Sequence, residues 1–284
     1  MGFSPHWLAV LACAFLTPAV QAGVANDVAS CYAANKMKMS PPATDTEVFV
    51  LVDQTTPLDA GLQDAVRENA GRLVKPGAAF VITSFSSFGQ GHYLEVLSAG
   101  ALEGPIDAKL RDDLPVKVLR QLDGCLVSQA EYGRKLAAGA LNKALAGSSA
   151  EFAKSDVMGS LRELSSRVQQ STARDKIVFL VSDMLENSGI SSFYANKNVR
   201  AIEPALELRK AQDAHAVGNF GGARVFVLGA GLVQETAGGK GRDSGVYRQP
   251  KTMAALRQFW TQYFEASHAK LVEFGAPALL SPVK

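Results

Sequence analysis

Short apolar segments recur along the chain and alternate with longer stretches in which apolar residues return every three or four positions. Most of the short segments are continuously apolar and rich in β-branched residues, as in strands buried on both faces of a sheet. The longer stretches fit amphipathic helices, so the pattern predicts an α/β protein with a mostly parallel central sheet. The predicted strands are residues 48–52, 79–82, 177–181, 225–228 and 271–274.

One further apolar segment, residues 93–97, follows the second predicted strand after about ten residues. Such a connection is too short for the crossover helix of a parallel pair, so we expect an antiparallel strand. Glu95 in its middle favours a position at the edge of the sheet. The fold class expected is therefore a Rossmann-like three-layer sandwich with one antiparallel edge strand and helices on both faces.

The segment Thr56-Pro57-Leu58-Asp59 predicts a helix start, with Thr56 as N-cap and Pro57 in the first turn. The helix that follows has an apolar stripe that only Asn69 interrupts. Residues 116–146 are also predicted to be helical. Their glycines, which disfavour helix, would divide them into two helices; these are Gly124, Gly133 and Gly139.

Two further helices complete the pattern. Ser155 or Asp156 is the expected N-cap of a helix that ends near Gln170. The last predicted helix covers residues 250–266, where aromatic residues at helical spacing are expected to lie in the core.

The first 22 residues are interpreted as an export signal, because residues 7–16 are apolar and Val20-Gln21-Ala22 fits a cleavage site. A membrane anchor is the alternative, but the apolar stretch is shorter than the ~20 residues of a spanning helix. The expected organisation is a signal peptide (1–22), an N-terminal extension (23–44), one α/β domain (45–276) and a tail (277–284). The mature chain is expected to be periplasmic or secreted, without a membrane span.

After cleavage near Ala22, Cys31 and Cys125 are the two remaining cysteines. An even number of cysteines in an oxidising compartment makes a disulfide between them plausible. Two buried, unpaired thiols are the alternative, because free cysteine packs as a small hydrophobe.

Charge and motifs exclude several functional classes. A formal net charge of +2 without a basic cluster gives no basis for nucleic-acid binding. The sequence lacks the Gly-x-Ser-x-Gly elbow of a serine hydrolase. The glycines of residues 229–231 are interpreted as a turn, and those of residues 238–245 as a flexible loop.

Hydroxyls and carboxylates follow or precede the predicted elements at three places. Asp53-Gln54-Thr55 comes after the first strand, and Ser155-Asp156 comes before a helix. Asp183 follows the strand at residues 177–181, the fourth along the chain. With this element order, residues 45–276 resemble a von Willebrand factor type A (vWA) domain, and element order is the stronger part of the likeness.

The resemblance implies a metal-ion-dependent adhesion site. Oxygen ligands from separate loops suit a hard divalent cation such as Mg²⁺ or Ca²⁺. Pro57 replaces the last hydroxyl of the family's first motif, and the second motif departs from the usual form, so the site is degenerate. The alternative is that these polar groups satisfy backbone donors of their loops. The implied ligands are Asp53, Thr55, Ser155, Asp156 and Asp183.

The function expected is that of an exported, non-catalytic module that binds a protein partner in the cell envelope. A structural component of an envelope complex without metal is the second hypothesis. The third is a phosphatase of the haloacid dehalogenase type with Asp53 as nucleophile. It is disfavoured because Thr55 replaces the usual second Asp of that motif and no adjacent Asp pair occurs late in the chain.

Overall fold

The computed structural model describes residues 26–86, 94–149, 154–195, 198–232 and 250–284. The predicted export signal and the loop at residues 238–245 lie outside these ranges. The strands are Thr46–Asp53 (β1), Ala78–Phe85 (β2), Glu95–Ala101 (β3), Asp175–Val181 (β4), Tyr194–Ala195 (β5), Asn198–Val199 (β6), Arg224–Leu228 (β7) and Lys270–Phe274 (β8). The helices are Cys31–Ala34 (α1), Ala60–Leu73 (α2), Ala108–Arg111 (α3), Val116–Ala146 (α4), Val157–Gln170 (α5), Pro204–Asp213 (α6) and Pro250–Ala266 (α7).

Within the described ranges, a six-stranded sheet has the order β3-β2-β1-β4-β7-β8, and β5 and β6 form a separate ribbon. β3 is antiparallel to β2, whereas the other neighbours in the large sheet are parallel. The predicted fold class is therefore confirmed. No helix in these ranges is long and apolar enough to cross a membrane.

Helices cover the sheet on both sides, which explains the continuous apolar runs of its strands. Phe49 and Leu51 of β1 belong to a core on the side of α5 and α7. Val48, Val50 and Val52 point to the other face and pack against α2 and α4. Since successive strand residues face opposite sides, a strand between two helical layers has no polar side to alternate with.

The antiparallel edge strand is confirmed, but it is Glu95–Ala101 rather than residues 93–97. Tyr93 lies outside the described residues. The second half of β3 is made of small residues because other chain segments pack closely against it. A Cβ added at Gly100 would lie 2.6 Å from Cγ2 of Val28. Asp27 covers the outer edge, where its carboxylate accepts a hydrogen bond from the N–H of Ala99 at 3.0 Å.

The expected division of residues 116–146 is wrong, because α4 is one continuous helix of 31 residues. Gly133 is buried against Leu102, where a Cβ would clash, whereas Gly124 and Gly139 are exposed. A glycine costs a helix about 1 kcal/mol relative to alanine, which the packing of a long buried face can offset. At 1.5 Å per residue α4 is ~46 Å long, against ~27 Å for β1, so it extends beyond the sheet.

The N-terminal half of α4 carries a small separate core, and the predicted disulfide is confirmed there. Cys31 and Cys125 are bonded, with their Cα atoms 5.7 Å apart. Tyr32 and Leu122 are among the buried residues around the bond. The N-terminal extension is thus fastened to α4 and does not hang free of the domain.

The C-terminal tail also packs on the domain. Val283 is buried, and its N–H donates to Oδ1 of Asn69 at 2.8 Å. Closer to β8, the carboxylate of Glu273 accepts from the N–H groups of Leu280 and Ser281. Asn69, the one polar residue in the predicted stripe of α2, is therefore the anchor of the tail.

Candidate site at the carboxyl edge of the sheet

Asp53 ends the central strand β1, and its side chain is 0% exposed. Oδ1 accepts hydrogen bonds from the N–H of Thr55 at 2.8 Å and from its hydroxyl at 2.6 Å. Oδ2 accepts from the hydroxyls of Ser182 at 2.7 Å and Ser155 at 3.1 Å. Three segments that are distant in sequence therefore meet at one carboxylate.

Thr56 has a different role from the predicted one. The N-cap of α2 is Asp59, whose Oδ1 accepts from the N–H of Leu62 at 2.8 Å. The buried hydroxyl of Thr56 instead accepts from the N–H of Asp183 at 3.2 Å. The helix starts later than predicted because this hydroxyl bridges two loops.

Asp183 is 8% exposed and lies close enough to Asp53 for the two charges to repel. Burial raises the pKa of Asp183 well above its usual range, and the charges of Asp53 and Glu186 add to the effect. Burial also raises the pKa of Asp53, although hydrogen bonds from Thr55, Ser182 and Ser155 oppose the shift. The edge thus holds two carboxylates in an environment that disfavours their charge.

Asp156 is directed to its own helix. It is the N-cap of α5, and its Oδ1 accepts from the N–H of Gly159 at 2.8 Å. The neighbouring Ser155 is held by two backbone hydrogen bonds to Asn187. Of the five predicted ligands, the structure joins Asp53, Thr55 and Ser155 directly, brings Asp183 beside them, and uses Asp156 as a cap.

Sequence reasoning missed Ser182 and Glu186. Ser182 stands directly before Asp183 at the end of β4, so its position after a buried strand was a usable signal. Glu186 gave no such signal. Its side chain is wholly buried at the start of α5, where Oε2 accepts from the N–H of Met158 at 2.8 Å. Burial raises the pKa of Glu186 to about 8.

Neighbouring segments fix the loop that follows β1. The N–H of Gln54 donates to Phe85 at 2.8 Å, and its side-chain amide donates to the carbonyl of Ala144 near the end of α4 at 2.7 Å. The carbonyl of Gln54 accepts from the N–H of Ser149 at 2.8 Å. The loop carrying Thr55 is therefore held by both β2 and α4.

The segment from Asp183 to α6 is fixed at both ends. The carbonyl of Asp183 accepts a hydrogen bond from the N–H of Gly231 at 2.8 Å. Gly229 and Gly231 have φ of 103° and 70°, values that suit glycine, so the predicted glycine turn is present.

At the far end of this segment, Glu207 of α6 is fully buried. It accepts from Arg200 at 2.7 Å, Lys210 at 3.0 Å and Ser191 at 2.6 Å. Burial would raise the pKa of Glu207, but these three partners lower it below its usual value. The segment is thus tied to α6 by ion pairs to a buried carboxylate.

The oxygen ligands at this edge can be compared with what a cation requires. In the described residues no group of three or more His, Cys, Asp or Glu side chains is arranged to hold a metal. The edge offers two carboxylates and three hydroxyls, all oxygen, which fits a hard divalent cation rather than zinc or copper. The ligands that fit are Asp53, Thr55, Ser155, Ser182 and Asp183.

Neither a model of a known protein family nor a curated protein matches the sequence. Among solved structures, the chain is similar to the pilus adhesin SpaC from Lactobacillus rhamnosus GG, with a TM-score of 0.40 and 13% identity over 84% of this chain and 28% of that one. For the vWF domain of the type V pili tip protein Mfa5 from Porphyromonas gingivalis, the TM-score is 0.31 and the identity 13%, over 69% and 56% of the two chains. For the PilB minor pilin from Streptococcus sanguinis, the values are 0.41 and 12%, over 84% and 59%.

The chain thus spans less than two thirds of the length of each of these proteins. At such identities and TM-scores the likeness assigns no function. The sheet itself, mostly parallel with one antiparallel edge strand and helices on both faces, defines a Rossmann-like three-layer α/β fold.

Proposed function

We propose that this chain is an exported, non-catalytic binding or assembly module whose carboxyl edge captures a protein partner with the help of a divalent cation. The observation that carries the proposal is the pair Asp53 and Asp183. Both carboxyls are buried, and in the described residues neither forms an ion pair with Lys, Arg or His. Two neighbouring buried carboxylates are costly without a counter-charge, and a cation would supply one.

Asp53 and Asp183 would provide the charge for the cation, and the hydroxyls of Thr55, Ser155 and Ser182 would complete the protein's share of the ligands. A cation held at this edge would offer a positive centre to an oxygen ligand of a partner. Asp156 has no part in this proposal, since its carboxylate caps α5. The disulfide between Cys31 and Cys125 supports export, because such bonds persist in oxidising compartments.

Thermal unfolding with added Mg²⁺ or Ca²⁺, against a chelator, tests the cation. Either ion should raise the Tm of the wild-type chain but not of Asp53→Asn or Asp183→Asn. Asp156→Asn is the matched control and should respond like the wild type, because asparagine also caps helices well. An equal response of all four proteins would remove the metal from the proposal.

Co-purification from the cell envelope tests the partner. A partner recovered with the wild-type chain should be lost after chelation and with Asp53→Asn. Recovery that is indifferent to both treatments would place the partner elsewhere on the surface.

A structural role without metal is the second candidate, and one observation favours it. Both oxygens of Asp53 already accept hydrogen bonds, so the side chain is satisfied without an ion. In this case Asp53→Asn should lower stability with or without added cation. A phosphatase role has less support, because a wholly buried Asp53 is not presented to a substrate. Asp53-dependent hydrolysis of a generic phosphoester in Mg²⁺ would reinstate it.

A further inference from the structure

The N-terminal half of α4 exposes one face that no other described segment of the chain covers. Gly124 lies on this face with open space where a Cβ would be, and the side chain of Val127 is 62% exposed beside it. Lys117 lies seven positions before Gly124 and Glu131 seven positions after it, and both side chains are exposed. At 100° per residue, both lie within about 20° of Gly124 around the helix.

The apolar character of this face extends into a groove of about 560 Å³ between α3 and α4. Val116, Leu119 and Val127 line the groove, and Val116 is among the most exposed apolar side chains of the described residues. Arg111 closes one side, where it is paired with Asp123. This surface combines exposed valines, a glycine without a side chain and flanking charges. Such a surface is suited to packing against another helix.

We propose that two copies of the chain associate through this face, with their α4 helices antiparallel and crossing at Gly124. A two-fold axis at Gly124 brings Lys117 of each copy opposite Glu131 of the other. The face is thus complementary to itself in charge, as a two-fold interface requires.

Two observations favour a second copy as the occupant. In the described residues, neither Lys117 nor Glu131 has an ion-pair partner within its own chain. Gly124 allows the closest approach of two helices at the point where the axis passes, with interaxial distances down to about 8 Å. Cys125, the next residue, is fixed by the disulfide, so this stretch of α4 is held in place before association.

The arrangement leaves the candidate site free. α4 ends beside that site, where Ala144 accepts the hydrogen bond from Gln54. Gly124 is therefore ~30 Å from that end of the helix at 1.5 Å per residue. An antiparallel pair would direct the two carboxyl edges to opposite ends of the dimer. This inference does not depend on the proposed function.

Sedimentation equilibrium of the disulfide-intact chain tests the association. One helix crossing buries less than the ~800 Å² per partner of a standard interface, so the dissociation constant is expected to be micromolar or weaker. The protein concentration should therefore extend to about 1 mM. This range still detects a dimer with a dissociation constant of about 1 mM, a binding free energy of ~4 kcal/mol. A chain that remains monomeric over this range would overturn the proposal.

Charge reversal identifies the contact. Lys117→Glu and Glu131→Lys should each weaken association about tenfold, since two attractive contacts become repulsive. The double variant should restore it. Within one helix the two positions are ~21 Å apart, beyond the ~8–10 Å Debye length, so restoration can come only from a second copy. A double variant as weak as the single ones would contradict the antiparallel crossing.

Gly124→Leu tests the crossing point, and Gly139→Leu is its matched control. Both glycines are exposed on α4, and a Cβ added at either would meet no other atom within 4 Å. Both substitutions should raise the Tm, because leucine is a better helix former than glycine. Only Gly124→Leu should abolish the dimer, and wild-type association of this variant would overturn the proposal.

Discussion

The hydroxyl of Thr56 accepts a hydrogen bond from the N–H of Asp183 at 3.2 Å, across 127 positions of the sequence. It ties the loop after β1 to the loop after β4, at the edge where Asp53 also receives the hydroxyl of Ser182. The two buried carboxyls are therefore held near each other by hydrogen bonds that involve no ion.

Thr56→Val should destabilise the protein by about 1–3 kcal/mol, because the buried N–H of Asp183 would lose its acceptor. Thr56→Ser keeps the hydroxyl and should cost less. Urea unfolding of the three proteins measures the difference. If valine and serine behave alike, the loss comes from packing at this position rather than from the hydrogen bond.

Glu186→Gln should change how stability depends on pH. The pKa of Glu186 rises from 4.5 to about 8 in the folded chain, so the folded state binds the proton more tightly than the unfolded state. The stability that this proton provides is complete below pH 4.5 and is lost as pH rises to about 8. Asp156, Asp183 and Tyr263 face the same carboxyl, and its charge raises the pKa values of Asp183 and Tyr263 in turn.

Urea unfolding between pH 4 and 9 checks this prediction. As the pH rises from 4 to 9, the free energy of unfolding of Glu186→Gln should increase relative to that of the wild type by on the order of a few kcal/mol. Glu163→Gln, at an exposed glutamate of α5, serves as the control. Parallel pH profiles for Glu186→Gln and the wild type would contradict the raised pKa.

Asn69→Leu would make the apolar stripe of α2 continuous and should nevertheless destabilise the protein. The buried N–H of Val283 would lose its acceptor, at a cost of about 1–3 kcal/mol. Faster hydrogen exchange at residues 279–284 would show that the tail is released. Leu280→Ala is the matched control, since this tail residue is 96% exposed and should change stability by less than about 0.5 kcal/mol.

Replacing both Cys31 and Cys125 by serine should lower the free energy of unfolding by about 4.7 kcal/mol on the chain-entropy model, for a sequence separation of 94. Amide hydrogen exchange should increase most in the N-terminal half of α4, which lies beyond the sheet. Thiol counting on exported protein provides an independent check. Two reactive thiols before reduction would show that the bond is absent from the mature protein.

The fold class could be predicted because strands covered on both faces leave long apolar runs in the sequence. Residues 177–181 and 225–228 were predicted within a residue or two of β4 and β7. The boundaries that failed depend on distant contacts. β3 extends to Ala101 because Val28 and Phe80 pack on Gly100, and α4 continues through its glycines because its buried face is packed.

The candidate site was predictable only in part. A carboxylate after a buried strand marks the functional edge of an open sheet, so Asp53 and Asp183 were found from sequence. The roles of Thr56 and Asp156 were decided by the geometry of two loops, where a hydroxyl or a carboxylate bonds to whichever donor lies nearest.

By itself, then, the sequence determined the alternation of strands and helices and the edge where polar groups collect, because periodicity and residue chemistry are local properties. Only the tertiary structure decided that Thr56 joins two loops, that Asn69 anchors the tail and that Glu186 is buried. Each of these depends on contacts between residues distant in sequence, and local pattern holds no record of which distant group will satisfy a buried polar atom.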